Sequence, residues 1–268
     1  MENTKGWILD QPDLRDFDAD EITDKLADPV VPMMSDDAAA VDIRKYCSPI
    51  ENQGRLGSCV AQSVAGLAEY LERMTHGRHI DVSRLFLYYI AREMDGISGD
   101  KGSRIRTCMK GLRIFGSPPE HHWPYVTADF DKEPSAFAFG YGQALQATAY
   151  YRLDQPGRSR SDLLKLTKRF VAMMRPVAFG FSTFRDERDT GFFPFPKIGE
   201  RPRGGHAVMC VGYDDNKDIH GRRGALLIRN SWGEGWGEGG YGWLPYDYVR
   251  YWLAHDFWIL IKRESVIE

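Results

Sequence analysis

Three residues of this sequence have the types and settings to do covalent chemistry: Cys59, His206 and Asn230. Cys59 ends the segment Gln53-Gly54-Arg55-Leu56-Gly57-Ser58-Cys59 and opens a run in which Val60, Val64, Leu67, Ala68 and Leu71 recur at three- and four-residue steps, the period of one helix face. A thiol at the start of a helix feels the positive end of the helix dipole and the unpaired backbone N–H groups there. Both favour the thiolate, which is the nucleophilic form. His206 follows Gly204-Gly205 and begins the apolar run Ala207-Val208-Met209; Asn230 closes Leu227-Ile228-Arg229 and precedes Ser231-Trp232. A thiolate beside an imidazole can attack a carbonyl carbon while the imidazolium protonates the departing amine. An asparagine oxygen accepting from the other ring N–H would fix the ring without adding charge. The Gln53 side-chain NH₂ and the Cys59 backbone N–H could stabilise the oxyanion, each donor worth about 3–4 kcal/mol in such a site.

These groups must be delivered from distant segments. After Cys59, the stretches 83–94 and 106–115 read as two further helices, the second stopping at Gly116 as a C-terminal cap, and 159–174 reads as a fourth that ends before Pro176. The second half contains short β-branched and aromatic runs at 175–182, 205–214, 225–232 and 240–246, separated by Gly or Asp-Asn turns. Helices first and strands later predict an α+β chain with two lobes and a cleft between them. The expected division is an N-terminal extension over 1–40 and a body over 41–268, helical to about 140 and β-rich beyond it.

Composition narrows the function classes. A net charge of -3 and no basic run leave no footprint for nucleic acid or an anionic membrane surface. No apolar stretch reaches the length of a spanning helix, and the acidic start has no signal-peptide pattern, so the sequence as written reads as cytoplasmic. Cys47, Cys59, Cys108 and Cys210 are too few for a disulfide framework and lack zinc spacing. A Cys47–Cys108 bridge is left open, but one chemical thiol among small buried ones is the favoured reading. His121-His122 lacks further ligands at metal spacing, and the glycine run 233–240 lacks the Lys-Ser/Thr of a phosphate loop. No metal and no cofactor is expected.

The segments Gln-Gly-x-x-Gly-Ser-Cys (53–59), Gly-His-Ala-Val (205–208) and Arg-Asn-Ser-Trp-Gly-x-x-Trp-Gly (229–237), in that order, resemble the papain family of cysteine peptidases. The likeness covers about residues 41–262. It is nearest to the prokaryotic branch, through Gly6-Trp7 to Asp16, Ser83 to Tyr89 and Asp256-Phe257-Trp258. The resemblance implies a helical lobe facing a β-barrel-like lobe and a cysteine endopeptidase acting through a thioester acyl-enzyme. It implies Cys59, His206 and Asn230 as catalytic residues, Gln53 in the oxyanion hole and Trp232 shielding the His206–Asn230 bond. It also implies that Gly102, Ser103, Gly205 and Ala207 border the substrate, Gly102 and Ser103 pairing with an extended peptide by β-like hydrogen bonds and Ala207 bordering the pocket for the residue before the scissile one.

Two positions depart from the family pattern. Leu56 stands where papain has a structural cysteine, and Val60 replaces the aromatic that usually follows the nucleophile. The usual prosegment of about a hundred residues is replaced here by some 40, which are expected to pack on the lobes and partly cover the cleft, anchored by Trp7, Ile8, Leu14, Phe17, Val30, Val31 and two methionines. Expected partners are a peptide or protein substrate and a protein inhibitor of the same groove. An amide-transfer or deamidating enzyme on the same triad is the alternative, as is a silent binding protein.

Overall fold

The computed structural model describes residues 6–23, 38–147, 149–184 and 190–261. Over its described residues, 6–23, the N-terminal arm is mostly irregular and carries the short helix α1 (Asp20–Thr23); strand β1 (Ala40–Asp42) comes next among the described elements. Helices α2 (Cys59–His76), α3 (Arg84–Asp95), α4 (Ile105–Ile114) and α5 (Ala136–Gly142) follow, then strand β2 (Ala149–Arg152) and helix α6 (Arg160–Ala172). Strands β3 (Val177–Thr183), β4 (Gly204–Ile219), β5 (Arg222–Arg229) and β6 (Tyr241–Pro245), the short helix α7 (Asp247–Arg250) and strand β7 (Ala254–Ile261) complete the order.

The helix limits follow from local chemistry. Ser83 and Ser159 accept from the amides of Phe86 and Asp162, giving α3 and α6 side-chain N-caps. Helices α2 and α3 stop at left-handed glycines, Gly77 and Gly96, as does α4 one residue further on at Gly116. Helix α2 is buried almost all round, which suits a helix packed between the other helices and the sheet. On the sheet side, Ser63 Oγ donates to Val208 O at 2.9 Å, and Gly66 lies so near the Arg229 guanidinium that a methyl there would sit 2.6 Å from it.

All the strand pairs are antiparallel, in the order β2-β7-β3-β4-β5-β6, with β1 added alongside β4. The β half is therefore an open sheet, with β2 and β6 as edges that do not meet, rather than a closed barrel. The four strands expected from sequence correspond to β3–β6, whereas β1, β2 and β7 are additional. Between β3 and β7 the register slips: Ala178 faces Trp258, but Gly180 faces His255. Asp256 lies inside this slip with φ of 56°, a bulge that turns its side chain out of the regular alternation.

The arm joins this framework through charge pairs. Arg152, 1% exposed, donates to Asp256 Oδ1 (2.8 Å) and Asp154 Oδ1 (3.0 Å) and stands 3.5 Å from Asp16 of the arm. Phe17 packs against Tyr151, but Leu14 is fully exposed and anchors nothing. The expected anchors Val30, Val31 and the two methionines lie outside the described residues. The four cysteines are all buried and unpaired. Among the described residues no helix is long and apolar enough to cross a membrane.

Removing one member of a buried ion pair leaves the other charge without its partner. Arg152→Met is expected to lower stability by about 3 kcal/mol, read by urea unfolding. A change below about 1 kcal/mol would show that Asp256 does not depend on this partner.

Candidate active site

Cys59 is the first residue of α2, its side chain fully buried. The preceding loop is clamped to the end of β5: Gln53 N donates to Ser231 O (2.8 Å), Ser231 Oγ donates to Gln53 Oε1 (2.6 Å), and Gln53 Nε2 donates to Leu56 O (2.9 Å). The last bond uses one of two amide hydrogens, so the Gln53 NH₂ keeps one donor for a developing oxyanion beside Cys59. Ser58 does not cap α2 with its side chain; its hydroxyl pairs with the Tyr125 hydroxyl, which donates in turn to Gln53 O.

His206 is delivered by β4, where it pairs with Phe181 of β3. Its Nε2 lies 2.8 Å from Asn230 Oδ1. The same oxygen accepts the backbone N–H of Ser231 at 2.8 Å, which fixes the amide orientation, because an NH₂ there would face another donor. The ring Nε2 must then carry the proton, and Nδ1, buried without a hydrogen-bond partner, keeps its lone pair. Trp232 stacks on the ring at 4.7 Å and 27°, and Phe181 meets it edge-on, so the His206–Asn230 bond lies under aromatic cover.

The backbone amide of Ala207, the residue after His206, favours the Cys59 thiolate. The amides of Cys59 and Val60 also favour its thiolate, but burial outweighs them and pushes the Cys59 pKa up to about 12. Burial likewise pushes His206 down to about 4, against the bond to Asn230. Both shifts favour the uncharged forms, thiol and neutral imidazole.

The cover comes from the arm. A methyl on Gly6 would lie 2.7 Å from Cys59 Sγ, so its backbone rests directly on the sulfur. Ser103 N donates to Gly6 O and Ile8 N to Ser103 O, both at 3.0 Å, a parallel bridge in which Trp7 faces Ser103. On the opposite wall, Trp7 N points to Gly205 O at 3.5 Å. The Trp7 indole enters a slot between Gly180 and Gly205, where added methyls would sit 2.0 and 2.6 Å from its ring atoms, and its Nε1 donates to Asp256 Oδ2 at 2.9 Å. Further along, Arg106 holds both Asp10 (2.8 Å) and Asp16 (2.7 Å).

Every residue expected at the site therefore gathers in one place: Cys59, His206, Asn230, Gln53 and Trp232 around the thiol, Gly102, Ser103, Gly205 and Ala207 beside it. Gly102 contributes through position, its amide donated to the Tyr88 hydroxyl, which donates to Asp100; Asp100 also accepts from Gly57 N. This Tyr88–Asp100 bracket was not legible in the sequence, and neither was the pairing of Arg152 with Asp256, because contacts between such distant segments leave no periodic signal.

Known proteins share the arrangement. Residues 38–256 match the papain family of cysteine proteases. An uncharacterized peptidase C1-like protein of Acanthamoeba polyphaga mimivirus is 34% identical over 274 residues, spanning 95% of this chain and 86% of its own. Cathepsin K of Gallus gallus is 30% identical, and the match spans 76% of this chain and 57% of the cathepsin. Among solved structures, xylellain, a cysteine protease from Xylella fastidiosa, superposes with a TM-score of 0.77 at 31% identity, covering 98% of this chain and 97% of its own. With the motifs, the open α+β fold and these likenesses in agreement, the chain belongs to the papain family and is a cysteine peptidase.

Proposed function

We propose that this chain is a cysteine endopeptidase held latent by its own N-terminal arm, with Cys59 as nucleophile, His206 as acid/base, Asn230 as the group that orients the histidine and Gln53 with the Cys59 amide as oxyanion donors. The observation that carries this reading is the fixed tautomer at His206. Asn230 Oδ1 already accepts from Ser231, so Nε2 carries the ring proton and Nδ1 keeps the lone pair that a general base needs, while the amide of the next residue, Ala207, favours the Cys59 thiolate. In the open enzyme the thiol proton passes to Nδ1, Sγ attacks the scissile carbonyl carbon and the imidazolium protonates the leaving amine. Water, activated by the same imidazole, then cleaves the thioester and restores the thiol.

The arm supports latency for two physical reasons. Its Gly6 covers the Cys59 sulfur, and burial penalises the ion pair that Cys59 and His206 must form. It also runs from Gly6 at the sulfur outward through Trp7 and Ile8, whereas acyl residues of a substrate in that groove run towards the sulfur; the Gly6 carbonyl is taken by Ser103 rather than offered for attack. Substrates are peptides or proteins lying along Ser103 and Gly205, and a protein inhibitor would use the same groove. The site lies nearest the prokaryotic branch of the family, as supported by the likeness to xylellain along nearly the whole chain. An amide-transfer reading finds no support in the wall on the Trp7 side, which is open to backbone pairing along Ser103 and Gly205.

Cys59→Ala is expected to fold as the parent and lose peptide hydrolysis by at least about 10⁴-fold, with His206→Ala close to it and Asn230→Ala less impaired. Turnover by Cys59→Ala at the parent rate would point to a different nucleophile. Alkylation of Cys59 tests the latency. In the intact chain it should be slow at mildly acidic pH and climb steadily with pH, because burial raises the thiol pKa. In Trp7→Ala it should be about tenfold faster or more and level off at acidic pH, as an ion pair requires. Equal rates in the two chains at every pH would remove the arm from the account.

A further inference from the structure

Two irregular segments must hold a fixed spacing for a bound peptide to meet the sulfur. Segment 99–103 supplies the backbone that pairs in the groove: Ser103 N donates to Gly6 O and Ser103 O accepts from Ile8 N, both at 3.0 Å. Segment 53–59 carries Gln53 and Cys59. The two meet where Gly57 passes Gly102, so closely that a methyl on Gly57 would lie 3.4 Å from Gly102 N and 2.9 Å from Asp100 Oδ1. Neither 53–58 nor 99–103 lies in a helix or a strand of the sheet, so side chains have to set the distance. With Leu56 in place of the family's structural cysteine and all four cysteines unpaired, the loop before Cys59 has no covalent tie.

One carboxylate oxygen makes the connection. Asp100 Oδ1 accepts from Gly57 N at 2.8 Å and from the Tyr88 hydroxyl at 2.6 Å, and that hydroxyl accepts from Gly102 N at 3.1 Å. Burial, and after it the hydrogen bond to Asp100, push the Tyr88 pKa up, so the hydroxyl keeps the proton it donates. Arg92, one helical turn after Tyr88 on α3, backs the bracket. Its guanidinium lies over the Tyr88 ring at 4.7 Å and donates to Gly99 O at 3.1 Å. Tyr88 and Arg92 are buried, whereas Asp100 is exposed. Helix α3 is thus a fixed post, and Asp100 is the link from it to the loop before Cys59.

We infer that Asp100 is a positioning residue of the peptidase reaction. Its Oδ1 sets the distance between the pairing backbone at Ser103 and the loop that carries Gln53 and Cys59, so that a peptide paired at Ser103 presents its scissile carbonyl to the sulfur. This inference rests on the peptidase reading of Cys59.

The test takes the full-length Trp7→Ala chain as parent and adds Asp100→Ala or Asp100→Asn. Both replacements remove the carboxylate charge, which disfavours the Cys59 thiolate. Asparagine alone keeps an oxygen that can accept from Gly57 and Tyr88 together, with its NH₂ turned to the other position. Labelling of Cys59 is compared between a peptidyl acyloxymethyl ketone, which pairs along Ser103, and iodoacetamide, which does not. Asp100→Ala should lower the ratio of peptidyl to iodoacetamide rates by at least about tenfold, since a misplacement of ~1 Å can cost about 100-fold in a positioned reaction. Asp100→Asn should stay within about threefold of the parent ratio, because the bridging oxygen is retained. Hydrolysis of a fluorogenic peptide should show the same order, with the loss in kcat and KM changed less than about threefold. An unchanged ratio in Asp100→Ala, a parallel loss with both reagents, or equal impairment by alanine and asparagine would each overturn the positioning role and leave the peptidase reading standing. Failure of the peptidyl probe to label Cys59 in the parent itself would overturn both.

Discussion

The contact between α2 and β4 is the constraint on which the site depends. The proposed nucleophile, Cys59, and its proposed base, His206, lie on opposite sides of this seam, one at the start of a helix and the other near the start of a strand. The seam is close because Gly66 lets the helix approach the Arg229 guanidinium and because Ser63 bonds to the backbone of Val208. Arg229 reaches on to Ser48 and Pro49, and Ser48 bonds to the buried Glu69 of α2, so the seam contains a polar network as well as apolar packing. Gln53 and Ser231 close its top, which ties the loop before Cys59 to the segment that holds Asn230.

Within this rigid frame, reactivity is set by solvation. The helix start and three backbone amides favour the thiolate, yet burial beneath Gly6 and Trp7 reverses that preference. Burial under Trp232 and Phe181 likewise favours the neutral form of His206. Latency in this account needs no distortion of the triad: the His206–Asn230 bond is already formed and the tautomer already set. What is missing is the water and open space that a charged pair requires. The arm is held at several points, by backbone bonds to Ser103, by the Trp7–Asp256 bond and by Arg106 on Asp10 and Asp16.

The chemistry was more legible in the sequence than the control of it. Cys59, His206 and Asn230 stand in short motifs because each is set by its immediate neighbours, whether a helix start, paired glycines or a strand end. The four longest helical runs and strands β3–β6 were equally readable from their periods. Strand β7 was not, since its Asp256 bulge breaks the alternation, and β2 is too short to show one. The charges Arg152 and Asp256 are 104 positions apart and become partners only in the folded chain. Trp7 and Ile8 were readable as apolar anchors, but that Trp7 enters a slot made by two glycines is a fact of shape, visible only once β3 and β4 lie side by side. Leu14, expected to anchor the arm on hydrophobicity alone, faces solvent.

The central claim is that the arm, lying on the Cys59 sulfur, keeps the thiol protonated and its ion pair with His206 unformed. The most direct measurement is the ultraviolet absorbance of the thiolate in the intact chain, taken as the difference from Cys59→Ala across a pH titration. The account predicts no Cys59 thiolate signal near neutral pH, and its appearance there once Trp7 is replaced by alanine. A full thiolate signal in the intact chain at mildly acidic pH would contradict it, because the ion pair would then form beneath the arm.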